Sequence, residues 1–140
     1  MTQFYTQLFS DQCHEFSVII EDDGRVCYAY LLLRQEIIGD VWLYNQSAAP
    51  IQTAWNREDM PFLNPVEYIK EELGVLPITS EKEIKAVWSF FLHNCELDQV
   101  SIYIRGELIS IIKPGAKPGW SSKVKKDGPL AKVLLNEQVK

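Results

Sequence analysis

Two apolar runs early in the chain are separated by a short acidic turn. Residues 15–21 and 25–33 are rich in β-branched and aromatic side chains, and Asp22-Asp23-Gly24 lies between them. An Asp-Gly pair flanked by such runs is a strong indication of a β-hairpin. The pattern therefore predicts two antiparallel strands joined at this turn.

A third strand is predicted over residues 40–45, directly after Gly39. Alternate residues of a strand point to opposite sides of the sheet. Here Val41 and Leu43 lie on one side, Trp42 and Tyr44 lie on the other, and residues 25–33 are similarly apolar on both sides. A strand of this kind is covered on both faces, so we expect layers packed on both sides of the sheet.

Helix signals follow a long connection over residues 46–63, which has no clear period. A connection of this length often packs as a cover or serves a site. Asn64 is a good N-cap, Pro65 suits a first helical turn, and Glu67 lies three residues beyond the cap. With apolar residues at helical spacing after it, this segment predicts a helix over residues 65–73.

The second half of the chain reads mainly as strands. Residues 80–92 fit either a helix or a strand, and their composition favours a strand. A second hairpin is predicted over residues 99–112 around Arg105-Gly106. Two Pro-Gly pairs then predict successive turns, and residues 130–134 are compatible with one or two helical turns.

These elements predict an α+β fold. We expect a mostly antiparallel sheet of five or six strands, built from two hairpins and a further strand, with one or two helices and long loops packed on it. The length of 140 residues and the hydrophobic content of 46% are typical of a single globular domain. The predicted domain spans residues 1–140 and includes a lysine-rich, turn-rich C-terminal segment, residues 113–140.

The charge is distributed unevenly along the chain. Residues 1–112 carry 7 basic and 17 acidic side chains, whereas residues 113–140 carry seven lysines against two acids. The lysine-rich segment either packs on the acidic body, which we favour, or forms a basic arm for nucleic acid or an acidic partner. It contains no arginine, the better bidentate phosphate ligand, so nucleic-acid binding is the weaker hypothesis.

The cysteines and histidines give no chemical signature. Cys13, Cys27 and Cys95 are odd in number and scattered in spacing, which favours free thiols in a reducing compartment. Cys13-His14 and His93-Asn94-Cys95 contain zinc-ligand types, but their spacing differs from the known zinc patterns. We expect no metal, cofactor or catalytic residue. With no targeting or membrane-spanning segment, a cytoplasmic location is expected.

Aromatic side chains in loops are the best candidates for a contact surface. Trp55 and Trp120 lie in loops near prolines and glycines, and tryptophan is favoured at interface hot spots. Most of the other aromatic residues are expected in the core. We therefore predict Trp55, Trp120, Lys117 and Lys123 as partner-binding residues.

The chain resembles small, functionally uncharacterised bacterial proteins at residues 41–45, 61–65, 118–121 and 127–131. In size and acidity it is also similar to the immunity proteins of bacterial toxin systems. The resemblance implies no function by itself. The acidic body, the loop tryptophans and the absence of a recognisable catalytic motif favour a non-enzymatic protein-binding domain, such as an inhibitor or immunity protein whose acidic face masks a basic enzyme. Two alternatives stay open: a small ligand-binding domain or enzyme with a pocket between the sheet and residues 46–63, and nucleic-acid binding through the lysine-rich segment. No membrane partner is expected.

Overall fold

The computed structural model describes residues 3–51, 60–70, 75–92 and 94–139. Within these ranges nine strands are present, and the helical residues are confined to two short 3-10 turns, Glu81–Glu83 and Asn136–Gln138. The strands are β1 (Phe4–Phe9), β2 (Phe16–Asp22), β3 (Val26–Leu33), β4 (Glu36–Asn45), β5 (Ile84–Phe90), β6 (Leu97–Ile104), β7 (Glu107–Ile112), β8 (Trp120–Ser121) and β9 (Lys132–Val133).

The strands form two sheets that share one core. The first sheet is the antiparallel series β1-β2-β3-β4, and the second has the order β5-β6-β7-β8-β9, in which only the β8–β9 pair is parallel. Buried side chains from both sheets belong to a single apolar cluster, which includes Val18, Leu31, Val41, Val100 and Ile102. Side chains from the two inner faces therefore pack against each other, as in a sandwich.

The predicted α+β class is wrong, because the described chain is almost entirely β. The predicted helix over residues 65–73 does not form in its described part: residues 66–68 make a turn, and Ile69 forms an antiparallel bridge with Val124. Backbone hydrogen bonds on either side of the bridge, Lys70 N to Lys123 O and Lys125 N to Tyr68 O, hold it in place. Local capping signals were overridden by this tertiary pairing. Residues 71–73 lie outside the described residues.

Several strand predictions are confirmed. Both hairpins form, with Gly24 and Gly106 at positive φ in their turns. The ambiguous segment is a strand over Ile84–Phe90, preceded by a 3-10 turn. The two-sided apolar pattern also holds, because Trp42, Leu43 and Tyr44 are all buried. Residues 130–134 contain β9 and no helical turn.

The lysine-rich segment packs along β4 and helps to join the two sheets. Asp40 N donates to Ala116 O, Gly119 N donates to Asp40 O, and Trp42 N donates to Leu130 O, at 3.1, 2.7 and 3.0 Å. The close approach requires glycine, because a Cβ on Gly119 would lie 2.5 Å from the Ile111 carbonyl oxygen. The segment is thus part of the fold over its described residues, as favoured above.

In the described residues no helix has the length and apolar character needed to span a bilayer.

Candidate functional site

One side of the first sheet carries several exposed apolar side chains. Because side chains alternate along a strand, Tyr5 and Phe9 of β1 point to the same side as Glu21 of β2 and Tyr30 of β3. Tyr5 is 59% exposed, Phe9 49% and Ile37 of β4 45%. We call this surface the aromatic face and define it by Tyr5, Gln7, Phe9, Ile19, Glu21, Tyr30, Ile37 and Asp40.

The aromatic face is bounded by a covered region of the same sheet. Tyr28 and Trp42 point to the same side but are buried, and the Tyr28 hydroxyl donates to the Phe62 carbonyl oxygen at 2.7 Å. The Arg25 guanidinium also donates to the Pro61 carbonyl oxygen. Residues 61 and 62 therefore lie over the Tyr28 end of the sheet, whereas Tyr5 and Phe9 of β1 are exposed to solvent.

The electrostatic character of the first sheet is acidic. Residues 3–51 contain seven acidic and two basic side chains, and both basic side chains lie near carboxylates: Arg34 beside Glu15 at 2.5 Å, and Arg25 beside Asp23 at 3.9 Å. Burial, reinforced by Glu21 and other nearby acids, raises the pKa of Tyr30 to about 12. A basic group approaching the aromatic face would meet a net negative potential.

The open edge of β1 belongs to the same surface. In antiparallel pairs, residues that bond to the neighbouring strand alternate with residues whose backbone groups point away from it. Ser10 N donates to Phe16 O, so the same alternation directs the backbone groups of Tyr5, Gln7 and Phe9 toward the free edge. In the described residues no strand pairs with this edge.

Asp40 offers a pH-dependent test of this surface, since Asp40→Asn is expected to raise the free energy of unfolding at pH 7 by up to about 1 kcal/mol. Burial raises the pKa of the Asp40 carboxyl, and Lys117 partly opposes the shift. The folded protein therefore binds this proton more tightly than the unfolded chain, so stability falls as pH rises through the interval between the two pKa values. Chemical denaturation at pH 3 and pH 7 measures the effect, which should shrink at pH 3.

Asp11→Asn is the control for this prediction, because Asp11 is exposed and its replacement should change stability by less than about 0.5 kcal/mol at either pH. A lower stability of Asp40→Asn at pH 7 would show that attraction to Lys117 outweighs the loss of hydration.

The structure describes three of the four predicted partner-binding residues: Trp120, Lys117 and Lys123. Trp120 is half-buried in β8, and the ammonium groups of Lys113 and Lys132 lie 5.5 and 5.2 Å from its ring centroid. Lys123 forms an ion pair with Glu107 of β7 at 2.8 Å. The positive charge of Lys117 lowers the pKa of Asp40 in β4, against the larger effect of burial. Trp55 lies outside the described residues. The aromatic face itself was not predicted from the sequence, because no strand was assigned to residues 4–9.

A cavity of about 310 Å³ lies beside the end of β4. Its apolar wall includes Trp42 and Ile69, and its polar wall includes Asn45, Ser122 and Lys123. These three polar side chains already have partners within the protein: Asn45 bonds to Trp42 and Asn64, Ser122 bonds to the Leu108 carbonyl, and Lys123 pairs with Glu107. None of the described residues among 46–63 lines this cavity.

The free-thiol interpretation is wrong for two of the three cysteines. Cys13 and Cys95 form a disulfide with a Cα–Cα distance of 5.9 Å. Cys27 is free and fully buried, and its burial raises the pKa of its thiol; a buried thiol of this kind is unreactive. Among the described residues no group of three or more histidine, cysteine or acidic side chains could hold a metal ion.

A comparison with protein-family models, curated proteins and solved structures finds no significant match to this chain.

Proposed function

We propose that this protein is a binding domain for a basic protein, and that the partner docks on the aromatic face. The observation that carries the proposal is the group of exposed apolar side chains, Tyr5, Phe9 and Ile37, on the acidic first sheet. Exposed apolar side chains grouped on one side of a sheet are a common mark of a protein interface. Tyrosine is enriched at such interfaces, and surrounding charge selects the partner and speeds its approach.

An inhibitor or immunity protein is the form of this function that we favour. Such a protein covers a basic active site, for example that of a nuclease-like enzyme, with an acidic surface of complementary charge. The arrangement of the lysine-rich segment supports a protein partner over nucleic acid, because Lys113, Lys123, Lys126 and Lys132 all have partners within the chain. Phosphate contacts would have to displace these interactions.

A cytoplasmic location remains part of the proposal, with one condition. Structural disulfides persist mainly in oxidising compartments and are rare in the cytosol. In the cytoplasm, the Cys13–Cys95 bond would therefore be transient and would form under oxidising conditions only.

Comparative capture tests the proposed function. The wild-type protein, Tyr5→Ser/Phe9→Ser and a control, Leu76→Ser/Leu135→Ser, are immobilised and incubated with a lysate of the source cells. Leu76 and Leu135 are 72% and 53% exposed, but neither belongs to the aromatic face. We expect a basic protein that wild type and control retain and that the Tyr5/Phe9 variant loses by about tenfold or more.

The captured protein must then bind in purified form. Its affinity for the wild type should fall as salt rises from about 50 to about 300 mM, because charge attraction is screened. Equal retention by all three proteins, or a purified partner whose affinity ignores both salt and the Tyr5/Phe9 change, would contradict the proposal.

A further inference from the structure

The two sheets are joined differently along their two sides. On the β4 side, backbone hydrogen bonds connect Asp40 and Trp42 to the segment that precedes and follows β8. On the opposite side, β1 and β5 are the outermost strands of their sheets. No backbone hydrogen bond links these two strands in the described part of the chain. We call the boundary between β1 and β5 the seam.

Among the described residues, a hydrogen bond and a disulfide link the two sides of the seam. Near the start of both strands, the Thr6 hydroxyl donates to a Glu81 carboxylate oxygen at 2.8 Å. Beyond the end of both strands, the Cys13–Cys95 disulfide joins the loop after β1 to the loop after β5. The ring contact of Phe16 with Phe90, at 5.9 Å between centroids, lies at the same end. The disulfide is thus a covalent link across a boundary at which the described residues of β1 and β5 share no backbone hydrogen bond.

The apolar side chains along the seam are incompletely covered. Inward-facing residues of the inner strands, such as Ala29 and Val100, have no exposed surface. The corresponding residues of the two edge strands pack on the core but remain partly exposed: Phe4, Leu8, Ala86, Trp88 and Phe90. Separation of β1 from β5 would therefore expose an apolar strip without breaking any sheet pairing.

Each loop that holds a disulfide cysteine also contains local hydrogen bonds. In the first loop, Cys13 N donates to the Ser10 hydroxyl oxygen and Phe16 N donates to Cys13 O. In the second, Phe91 N donates to Glu96 O. Cys95 is exposed, whereas Cys13 is only 4% exposed. A reductant can therefore approach from the Cys95 side.

We infer that the Cys13–Cys95 disulfide is a redox-controlled latch on the seam, opened by a dithiol reductant. One reductant thiolate attacks Cys95 Sγ, the S–S bond breaks, and Cys13 leaves as a thiolate that takes a proton from water. The second reductant thiolate then attacks the sulfur of its own molecule in the mixed disulfide and releases Cys95. The protein gains two electrons and two protons, and the reductant becomes a disulfide.

Opening of the latch affects the seam between β1 and β5 and leaves the β4 side of the molecule unchanged. Once it opens, β1 and β5 lose their covalent connection, whereas the backbone hydrogen bonds on the β4 side persist. Reduction should therefore increase the motion of β1, which carries Tyr5 and Phe9. This inference stands apart from the proposed function, because it concerns the protein without any partner.

Hydrogen exchange with and without dithiothreitol tests the latch on the intact chain under native conditions. We expect amide exchange to accelerate about tenfold or more in β1 and β5 on reduction, because edge strands that are no longer held across the seam open more often from β2 and β6. The inner strands β3 and β6 should stay protected. Cys27 is the internal reference: iodoacetamide should label Cys13 and Cys95 in the reduced native protein but should leave Cys27 unlabelled. Re-oxidation should restore the original exchange, and Cys13→Ser/Cys95→Ser should show the open pattern with or without dithiothreitol.

Three results would overturn the inference. If Cys27 is labelled as fast as Cys13, reduction unfolds the whole protein and the disulfide is a global staple. If exchange in β1 and β5 is unchanged, the seam is held by other contacts. If dithiothreitol fails to reduce the bond without denaturant, the disulfide is closed to reductants.

Discussion

Replacing Cys13 and Cys95 together with serine is expected to lower the free energy of unfolding by about 4 kcal/mol. The disulfide joins residues 82 positions apart in the sequence. In the chain-entropy account, a cross-link around a loop this long removes much of the freedom of the unfolded chain. The loss is a large fraction of the roughly 5–15 kcal/mol that stabilises a typical domain, yet it should leave the variant folded at room temperature.

Urea denaturation of the wild type and the double-serine variant measures this loss, with and without dithiothreitol. Reduced wild type should match the variant, and the variant should not respond to dithiothreitol, because its remaining cysteine, Cys27, is already a free thiol. A loss below about 1 kcal/mol would mean that strain in the folded state, or structure in the unfolded state, cancels the entropic gain.

Hairpins were predictable from this sequence because their signals are local. Asp22-Asp23-Gly24 supplies the turn chemistry directly, with Gly24 at φ 92° and the Asp23 carboxylate accepting from Arg25 N and Val26 N. Arg105-Gly106 does the same for the second hairpin, with both residues at positive φ. The β-branched and aromatic runs on either side complete each pattern.

The errors arose where distant partners decide the structure. The Asn64 and Pro65 signals are genuine helix signals, but Ile69 pairs with Val124, a residue far away in the sequence. Cys13 and Cys95 are close in space only because β1 and β5 are the edge strands of their sheets and lie at the same edge of the sandwich. Sequence spacing could not reveal this, since no strand was assigned to residues 4–9. The fold class failed for the same reason, because one local helix prediction decided between α+β and all-β.

The candidate site was only partly accessible from the sequence. Acidity of the body and the packing of the lysine-rich segment followed from charge counts alone. The aromatic face depends on which side of β1 is left uncovered, and that depends on the arrangement of both sheets. Trp120 was selected as an exposed aromatic, but lysines 113 and 132, close to it in space, flank its ring. The residue type therefore indicated that Trp120 makes contacts, while the fold determined that lysines of the same chain make them.

A buried carboxylate at the end of β2 gives the second large expected effect. Asp22 is 1% exposed. Its Oδ2 accepts from the Tyr44 hydroxyl at 2.6 Å and from Gln46 Nε2 at 2.7 Å, and its Oδ1 accepts from Gly24 N at 2.9 Å. The Tyr44 hydroxyl oxygen in turn accepts from Ile78 N at 3.0 Å. One carboxylate thus connects β2, β4 and the segment that leads into β5.

Asp22→Ala is expected to destabilise the protein by about 3–5 kcal/mol, because it leaves several buried donors without an acceptor. Tyr44→Phe should cost about 1–3 kcal/mol, since it removes the acceptor of Ile78 N and one donor to Asp22. Because both residues belong to one network, the double variant should lose less than the sum of the two single losses. Asp23→Ala is the matched control: this neighbouring side chain is 34% exposed and serves the turn alone, so about 1 kcal/mol is expected. Equal losses for Asp22→Ala and Asp23→Ala in urea denaturation, or strict additivity with Tyr44→Phe, would show that burial of the network contributes nothing beyond the turn.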